Sequence, residues 1–287
     1  MKKLLTKAVL SAFLALAVIS CKEDATSTPD TPPAETKDYY SMKVGTYWVY
    51  DWHEYNDQGV ALEASAQDSL AVTMSEEIFS KTAFKIEKFS GAIGEALTKD
   101  VEYHHAFNTD QLFVTSAFLE SFKKQIPLPI NLDFLALPTD KWYLIADSKQ
   151  TTWNLLDTPI EVKNQPEDVL PGATIDLSYN VIMTRKAEGT MTDPNDATKT
   201  VKTIEFEMKN SLGVKAKYLT LDVGLTKPSI DLITYLVFAE GIGFIKGYTP
   251  NQDIKLSTVV IPLTGKSYDL VNQKFIGAEM VLKKYKK

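Results

Sequence analysis

The sequence predicts an all-β protein with only a minor helical part, built on a curved antiparallel meander sheet that is half-barrel or sandwich-like. Three observations predict this fold class. Apolar and polar residues alternate with a period of two from Tyr39 onward. Short turn sequences rich in Gly, Asn and Asp separate the alternating stretches. No long segment has the 3.6-residue period of an amphipathic helix.

The alternation is clearest in five stretches. In residues 47–53, YWVYDWH, the large aromatic side chains of the even positions fall on one face, and Asp51 and His53 fall on the other. Such a pattern is typical of antiparallel strands with one buried face. The same period occurs in residues 69–75, 177–183, 203–209 and 218–223.

Turn sequences separate these stretches at short intervals, and strands joined by tight turns form a meander. They are NDQG (56–59), NTD (108–110), DPND (193–196), NSLG (210–213) and EGIG (240–243). Gly241 and Gly243 form a lone G-x-G, and its expected role is a turn that requires positive φ. The helix candidates are short: residues 116–125, and a stretch from Ser229 that β-branched and aromatic residues make a poor helix former.

The first twenty residues have the layout of a signal peptide. A cationic head with Lys2, Lys3 and Lys7 precedes residues 8–20, which carry no charge. A membrane-spanning helix needs ~20 apolar residues, so this run is too short to remain as an anchor. We therefore expect residues 1–20 to be removed.

Val18, Ile19 and Ser20, directly before Cys21, resemble the bacterial lipobox. The resemblance implies that the Cys21 thiol takes a diacylglycerol, that cleavage follows Ser20, and that the new amine is acylated. A thiol is nucleophilic enough for thioether formation, and several acyl chains on one residue give stable anchoring. The alternative is an ordinary secretory signal that happens to end near a cysteine.

Lys22, Glu23 and Asp24 resemble the lysine-plus-two-acids export signal of outer-membrane lipoproteins of the Bacteroidota. The resemblance implies a lipid-anchored protein on the cell surface, with the periplasmic face of the outer membrane as the alternative. In that case the three residues are simply a solvated charged stub.

The acylated Cys21 and the residues after it, 21–38, are expected to form a disordered tether. Residues 24–38 contain three prolines, four threonines and no large apolar side chain. Fully extended, these residues reach ~50 Å. We expect residues 39–287 to form a single β-rich ectodomain.

A second resemblance covers two segments of the expected ectodomain. YYSMKVGTYWVYDW (39–52) is similar to the first strand of many Bacteroidota lipoproteins of unknown function, in which an aromatic residue and a glycine precede a W-V-Y strand. FAEGIGFIKGY (238–248) is similar to the Gly-x-Gly hairpin found late in those chains. This resemblance implies a family without an established activity, so it assigns no functional residue.

Composition and motifs exclude several classes of function. Of the 31 basic side chains three lie in residues 1–20, so 28 remain against 37 acidic ones, a balance opposed to nucleic-acid binding. Arg185 is the only arginine. The sequence has no G-x-S-x-G, H-E-x-x-H or Walker A motif, and we expect no cofactor.

Histidine pairs are the weak candidates for a metal or acid–base site. His104 and His105 are adjacent on a predicted strand, so their side chains point to opposite faces and cannot share an ion without a bulge. Glu102 shares a face with His104, as Asp51 does with His53, and these two pairs would meet only if their strands pair. A polar outer face explains the same pattern, so we expect no metal site.

Residues 126–138, IPLPINLDFLALP, combine three prolines with apolar side chains that require burial. One interpretation is a loop that covers the core on the concave side of the sheet. The other is a binding surface for an apolar ligand or a partner, formed by Ile130, Leu132, Phe134 and Leu135.

Three functions are compatible with these patterns. The first is a non-enzymatic binding or adaptor module whose partner is a protein or a glycan. The alternative is a carrier that holds a lipid or another apolar ligand in the concave sheet, and the third is a hydrolase that uses scattered carboxylates. The tryptophans would pack in the core or serve the first function as stacking platforms; they are Trp48, Trp52, Trp142 and Trp153.

Overall fold

The structure is a computed structural model that describes residues 38–40, 42–117, 137–166, 173–218, 221–223, 229–260 and 267–287. The expected lipidation site and export signal lie outside these residues, as does the expected apolar surface of the 126–138 segment. The positions concerned are Cys21, Lys22, Glu23, Asp24, Ile130, Leu132, Phe134 and Leu135.

The described ranges contain sixteen strands and almost no helix, as the alternation predicts. The bounds are β1 (Tyr47–Glu54), β2 (Ala66–Ile78), β3 (Lys81–Ala92), β4 (Thr98–Phe107), β5 (Gln111–Val114), β6 (Tyr143–Asp147), β7 (Thr152–Asn154), β8 (Ile160–Pro166), β9 (Ala173–Asp193), β10 (Asp196–Tyr218), β11 (Leu221–Val223), β12 (Ser229–Ala239), β13 (Gly243–Thr249), β14 (Gln252–Val260), β15 (Ser267–Phe275) and β16 (Ala278–Lys286).

Fourteen of these strands form one antiparallel sheet in the order β6-β5-β4-β3-β2-β1-β16-β13-β12-β10-β9-β7, with β8 on β9 and β11 on β10. Strands β1 to β6 are neighbours in sequence order, which confirms the predicted meander. The C-terminal strand β16 lies between β1 and β13 and joins this meander to the remaining strands. Strands β14 and β15 form a separate hairpin.

The sheet curls until its two outermost strands approach each other. The indole Nε1 of Trp153 in β7 donates to the Leu144 carbonyl in β6 at 2.7 Å. The backbone N–H of Arg185 in β9 donates to the Thr151 carbonyl at 2.8 Å. Strands β6 and β7 form no ladder with each other, so the sheet is curved and not closed.

The inner face of the curved sheet is one continuous apolar core. Alternate residues of the paired strands are buried, as in β1, where Trp48, Tyr50 and Trp52 are at most 3% exposed. The polar tips of the buried rings bind backbone carbonyls across the sheet: Tyr50 Oη donates to Phe244 O and Trp48 Nε1 to Ile242 O, each at 3.0 Å. The predicted division of β1 into an aromatic and a polar face is confirmed.

Four of the five predicted turns lie between strands, and Gly241 and Gly243 have the positive φ values that were expected (70° and 102°). The prediction for NSLG is wrong, because residues 210–213 lie inside β10. Here cross-strand bonds satisfy the polar side chains: Tyr179 Oη donates to Asn210 Oδ1 at 2.9 Å, and Ser211 Oγ donates to Asp231 at 2.6 Å.

The two helix candidates have different outcomes in the described residues. The stretch from Ser229 is strand β12 (Ser229–Ala239), in accordance with its β-branched and aromatic composition. Of the candidate at 116–125, only residues 116 and 117 are described, and these are helical. No helix in the described ranges is long and apolar enough to cross a membrane.

The strand directions define two ends of the body. At the entry end the described chain begins: the Asp38 carbonyl accepts the Gly241 N–H at 2.7 Å, and Tyr39 and Tyr40 are fully buried. Strand β1 leads from there to the far end, about 25 Å away for eight residues. The far end contains the connections from β1 to β2, from β3 to β4 and from β13 to β14.

The Gln252 side chain joins the β14–β15 hairpin to the large sheet at the far end, where Ile254 and Phe275 of the hairpin also pack into the core. Gln252 Oε1 accepts the N–H of Ile233 in β12, and Gln252 Nε2 donates to the carbonyl of the same residue, both at 2.9 Å. The amide side chain therefore imitates one step of a β-ladder.

Candidate functional site

A surface cleft of about 360 Å³ lies at the far end of strands β1 to β4. Trp52 near the end of β1 and Ala66 at the start of β2 form one part of its lining. Antiparallel pairing places the end of β3 and the start of β4 beside them. The lining residues are Trp52, Ala66, Asp68, Ser90, Gly91, Ala92, Thr98, Lys99 and Asp100.

A buried lysine holds two carboxylates at this cleft. The Lys88 side chain in β3 is fully buried, and its Nζ lies 2.8 Å from Asp100 Oδ2 and 3.4 Å from Asp68 Oδ2. Ser90 Oγ donates to the same Asp100 oxygen at 3.3 Å. The Asp68 side chain is 7% exposed, whereas that of Asp100 is 46% exposed, so Asp100 can accept further bonds from the cleft side.

The register of the strands brings these charges to the inner face. Asp68 is in phase with the buried Leu70, and Lys88 is in phase with the buried Ile86. A bulge in the β3–β4 pairing leaves Asp100 without a ladder partner beside Lys88. The far end of the apolar core is therefore closed by an ion-paired cluster.

Lys99 also lines the cleft, but its ammonium group is engaged on the outer face of the sheet. Lys99 Nζ lies 2.9 Å from Glu87 Oε1 and also contacts Glu102. Hydrogen bonds from Lys85 and Lys99 lower the pKa of Glu102 to about 2. The charged side chains that line the cleft are Asp68, Asp100 and Lys99, and the fully buried Lys88 pairs with both aspartates.

Buried side-chain atoms without a hydrogen-bond partner occur at three places in the described part of the chain. At the entry end they are Asp38 Oδ1, Tyr39 Oη and Tyr40 Oη; in the core they are both ring nitrogens of His105; at the far end they are Trp52 Nε1 and Ser65 Oγ. Such atoms are uncommon in folded proteins and each costs about 1–3 kcal/mol. Trp52 is the residue of this set that lines the cleft.

A second cleft, of about 320 Å³, lies at the entry end and has polar groups that satisfy one another. Asp147 accepts bonds from the side chain of Gln111 and from the backbone N–H groups of Lys149 and Gln150. Although burial opposes ionisation of Asp147, these hydrogen bonds hold its pKa below the usual range. Asp110 in turn binds Ser148 and Lys149, so the polar residues of this cleft hold two neighbouring turns together.

The histidine pairs do not form a common site. His104 and His105 point to opposite faces of β4, as predicted, and His104 Nε2 lies 3.0 Å from Glu76 Oε1 on the outer face. The pair Asp51–His53 on β1 does not meet the pair Glu102–His104 on β4, because β2 and β3 lie between these two strands. In the described ranges no three His, Cys, Asp or Glu side chains converge as metal ligands would.

Burial lowers the pKa of His105 to about 3, with a smaller contribution from the adjacent His104. His105 is fully buried among apolar side chains, with the Tyr103 ring at a centroid distance of 6.2 Å. It is therefore neutral and packed in the core, and it lines neither cleft.

The indole N–H groups of three tryptophans bind backbone carbonyls. Trp142 Nε1 donates to Ile78 O at 3.1 Å, and Trp48 and Trp153 make the corresponding bonds described above. Trp52 is 3% exposed and its N–H is unpaired. Trp48 and Trp52 are buried, Trp153 is half-buried against the core, and Trp142 is half-buried beside the Phe79 ring.

Of the 126–138 segment, Leu137 and Pro138 are described. Leu137 is 4% exposed and belongs to the core cluster, and the Pro138 carbonyl accepts the Tyr143 hydroxyl at 2.7 Å. The end of the segment therefore packs against the core.

Exposed apolar side chains accompany the cleft at the far end. Val60 and Leu62 in the β1–β2 connection are 59% and 49% exposed, and Ile93 in the β3–β4 connection is 47% exposed. The entry end also exposes apolar side chains, at Val44 (53%) and Phe79 (46%).

The fold and the far-end cleft define an all-β protein with a cleft of mixed polar and apolar lining at one end of a curled sheet. No protein-family model and no curated protein matches the chain. Two solved structures are similar. One is a "putative lipoprotein" from Parabacteroides distasonis, with a TM-score of 0.43 and 14% identity over 85% of this chain and 96% of that chain.

The other is a "putative exported protein with YmcC-like fold" from Bacteroides fragilis. Its TM-score is 0.38 and its identity 8%, over 85% of this chain and 97% of that chain. Both TM-scores are below 0.5, so neither similarity assigns this chain a family or a function.

Proposed function

We propose that this protein is a lipid-anchored, non-enzymatic binding module of the outer membrane that recognises its partner at the far end of the body. The observation that carries the proposal is the packing of the inner face. Its side chains form a continuous core, which favours binding at the rim of the sheet, and the far rim has a cleft lined by Trp52, whose indole N–H is unpaired.

The anchoring part of the proposal rests on the sequence. The lipobox-like residues before Cys21 and the charged residues after it support acylation and transfer to the outer membrane, on the cell surface. Sixteen residues separate Cys21 from Asp38, where the described chain enters the body. A tether attached at the entry end leaves the far end free to turn away from the membrane.

The chemistry of the cleft supports a binding role over a catalytic one. Glycosidases and related enzymes use one carboxyl group as an acid and another as a base or nucleophile. Here Asp68 and Asp100 both contact the same Lys88 ammonium, as members of one ion-pair cluster.

The packing of the described residues is less favourable to the carrier alternative. A carrier of an apolar molecule needs a cavity lined by apolar side chains. Phe206, Phe238 and Phe244, on the inner face, are fully buried and contact one another edge to face. The two clefts described above are lined mainly by polar or small residues.

Native mass spectrometry tests the proposal. The chain is purified gently from its own cell envelope, once with Cys21 and once as Cys21→Ser. We expect the wild-type chain to carry a covalent lipid and to sediment with membranes, and the variant to be released with the bare polypeptide mass. A non-covalent mass that extracts into organic solvent would instead identify a carrier. A Cys21→Ser chain that remained in the membrane would contradict the anchoring.

A further inference from the structure

Trp52 lines the far-end cleft, and its buried indole N–H is a hydrogen-bond donor without an acceptor. Trp52 is 97% buried, by its 3% exposure, and its Nε1 has no partner. The other three indoles each have a carbonyl acceptor. An unpaired buried donor is costly, and a ligand in the cleft that supplies an oxygen acceptor would remove that cost.

The same cleft also contains carboxylate acceptors, which need a hydrogen-bond donor. Asp100 and Asp68 are acceptors that both contact Lys88, while the Asp100 side chain remains nearly half exposed. A ligand that satisfies the whole cleft must therefore donate to a carboxylate and accept from an indole N–H. A hydroxyl group does both.

The charges of the cleft disfavour ionic ligands. An anion would meet two carboxylates, and the ammonium of Lys99 is held by Glu87 and Glu102 on the outer face. A cation would compete with Lys88, which already lies between the carboxylates. A neutral ligand avoids both penalties.

The size and the remaining lining of the cleft agree with a small ligand that has apolar C–H surface as well as hydroxyl groups. The volume of about 360 Å³ falls in the range of small-molecule sites. Ala66, Gly91 and Ala92 contribute small side chains or none, and a methyl group at Gly91 would approach Leu97 Cδ2 to 3.1 Å.

We propose that the far-end cleft binds a neutral, hydroxyl-rich ligand with the chemistry of a sugar unit, held between the Trp52 N–H and the Asp100 and Asp68 carboxylates. This inference rests on the proposed function, since it names the ligand class of the same far-end surface. The sugar can be free or the end of a glycan chain, and both have the same hydroxyl chemistry.

Nuclear magnetic resonance of the four indole N–H groups tests the proposal. The mature chain, residues 21–287 with Cys21→Ser, is labelled with ¹⁵N, and Trp52→Phe assigns the Trp52 signal. The probes are glucose, galactose, mannose and N-acetylglucosamine, followed by their methyl glycosides, which imitate a sugar joined to a chain. Inorganic phosphate and methylammonium are the ionic controls.

We expect at least one sugar to shift the Trp52 signal downfield in a saturable manner, while the signals of the three paired indoles stay in place. Asp100→Asn should weaken that binding roughly tenfold, the effect of losing one charged hydrogen bond. The matched control is Asp110→Asn in the entry-end cleft, which should leave the affinity unchanged. If the methyl glycoside binds, the ligand is the end of a glycan chain. If the free sugar binds and its methyl glycoside does not, the ligand is a free sugar.

The proposal is overturned if no sugar moves the Trp52 signal at about 50 mM, well above a millimolar dissociation constant. It is also overturned if phosphate or methylammonium moves it as strongly as any sugar, or if Asp110→Asn weakens binding as much as Asp100→Asn. If no sugar binds in the resonance experiment, and mass spectrometry shows the covalent lipid but no non-covalent ligand, the sugar proposal is rejected and the proposed binding module stands. An extractable lipid would reject the binding module itself.

Discussion

His105 should make the protein sensitive to mild acid. Its imidazole is fully buried with both nitrogens unpaired, and burial lowers its pKa from 6.5 to about 3. Between these two values the unfolded chain binds a proton that the folded chain excludes. The free energy of unfolding therefore falls as the pH drops below 6.5 and continues to fall toward pH 3.

The size of the effect follows from the two pKa values. A pH of 5 is 1.5 units below the pKa of the histidine in the unfolded chain, and one unit corresponds to about 1.4 kcal/mol. Protonation of the unfolded chain therefore lowers the free energy of unfolding by about 2 kcal/mol at this pH. His105→Phe keeps an aromatic ring beside Tyr103 and removes the titrating group. From pH 7 to pH 5 this variant should lose about 2 kcal/mol less stability than the wild type.

The assay is urea unfolding followed by tryptophan fluorescence at several pH values between 7.5 and 5. His104→Gln, on the outer face of the same strand, is the matched control and should follow the wild-type curve more closely than His105→Phe does. If wild type and His105→Phe lose the same stability between pH 7 and pH 5, the imidazole is not held neutral by burial, and the reasoning is refuted.

Three further predictions concern stability and can be measured by chemical unfolding. Lys88→Met leaves the Asp68 carboxylate buried without its cation and should cost about 3 kcal/mol, and adding Asp68→Asn should recover more than half, whereas no recovery would contradict the ion pair. Gly277→Ala places a Cβ 2.0 Å from the Thr249 carbonyl and should cost about 3 kcal/mol, against about 1 kcal/mol for Gly59→Ala in open space at φ 78°; equal losses would refute the clash. Gln252→Ala removes both bonds to β12 and should cost about 2 kcal/mol, with faster amide exchange in β12; unchanged exchange would show that the hairpin is held by other contacts.

The strands could be predicted because burial of one face imposes a period of two. In β1 the alternation of aromatic and polar residues identifies both the strand and its inner face, and β12 is recognisable from its β-branched composition. The NSLG sequence misled the prediction because its polar groups find partners on neighbouring strands. Those partners, Tyr179 and Asp231, are 31 and 20 residues away and cannot be paired from local sequence.

The position of β16 was also beyond local reasoning. It pairs with β1 and β13, so the sheet connects the two ends of the described chain through contacts of very long sequence separation. Alternation shows that a segment is a strand, but the choice of neighbour depends on packing over the whole inner face.

The cleft was missed because its members lie on four strands and have little in common in sequence. A signal was present in the period itself: Lys88 follows Ile86 in the buried phase of β3, and Asp68 precedes Leu70 in the buried phase of β2. Charges of opposite sign in the apolar phase of two neighbouring strands indicate a buried ion pair. The missing partner of the Trp52 N–H cannot be predicted from the sequence, because it depends on which atoms surround the indole in the folded protein.

Photo-crosslinking on intact cells from the two ends of the body distinguishes recognition at the far end from recognition elsewhere. A photoreactive residue replaces either Ile93 at the far end or Val44 at the entry end, two apolar positions of similar exposure (47% and 53%). We expect a sugar-bearing adduct from position 93 that is lost with Asp100→Asn, and no such adduct from position 44. Equal adducts from both positions, or an adduct from position 44 alone, would contradict recognition at the far end.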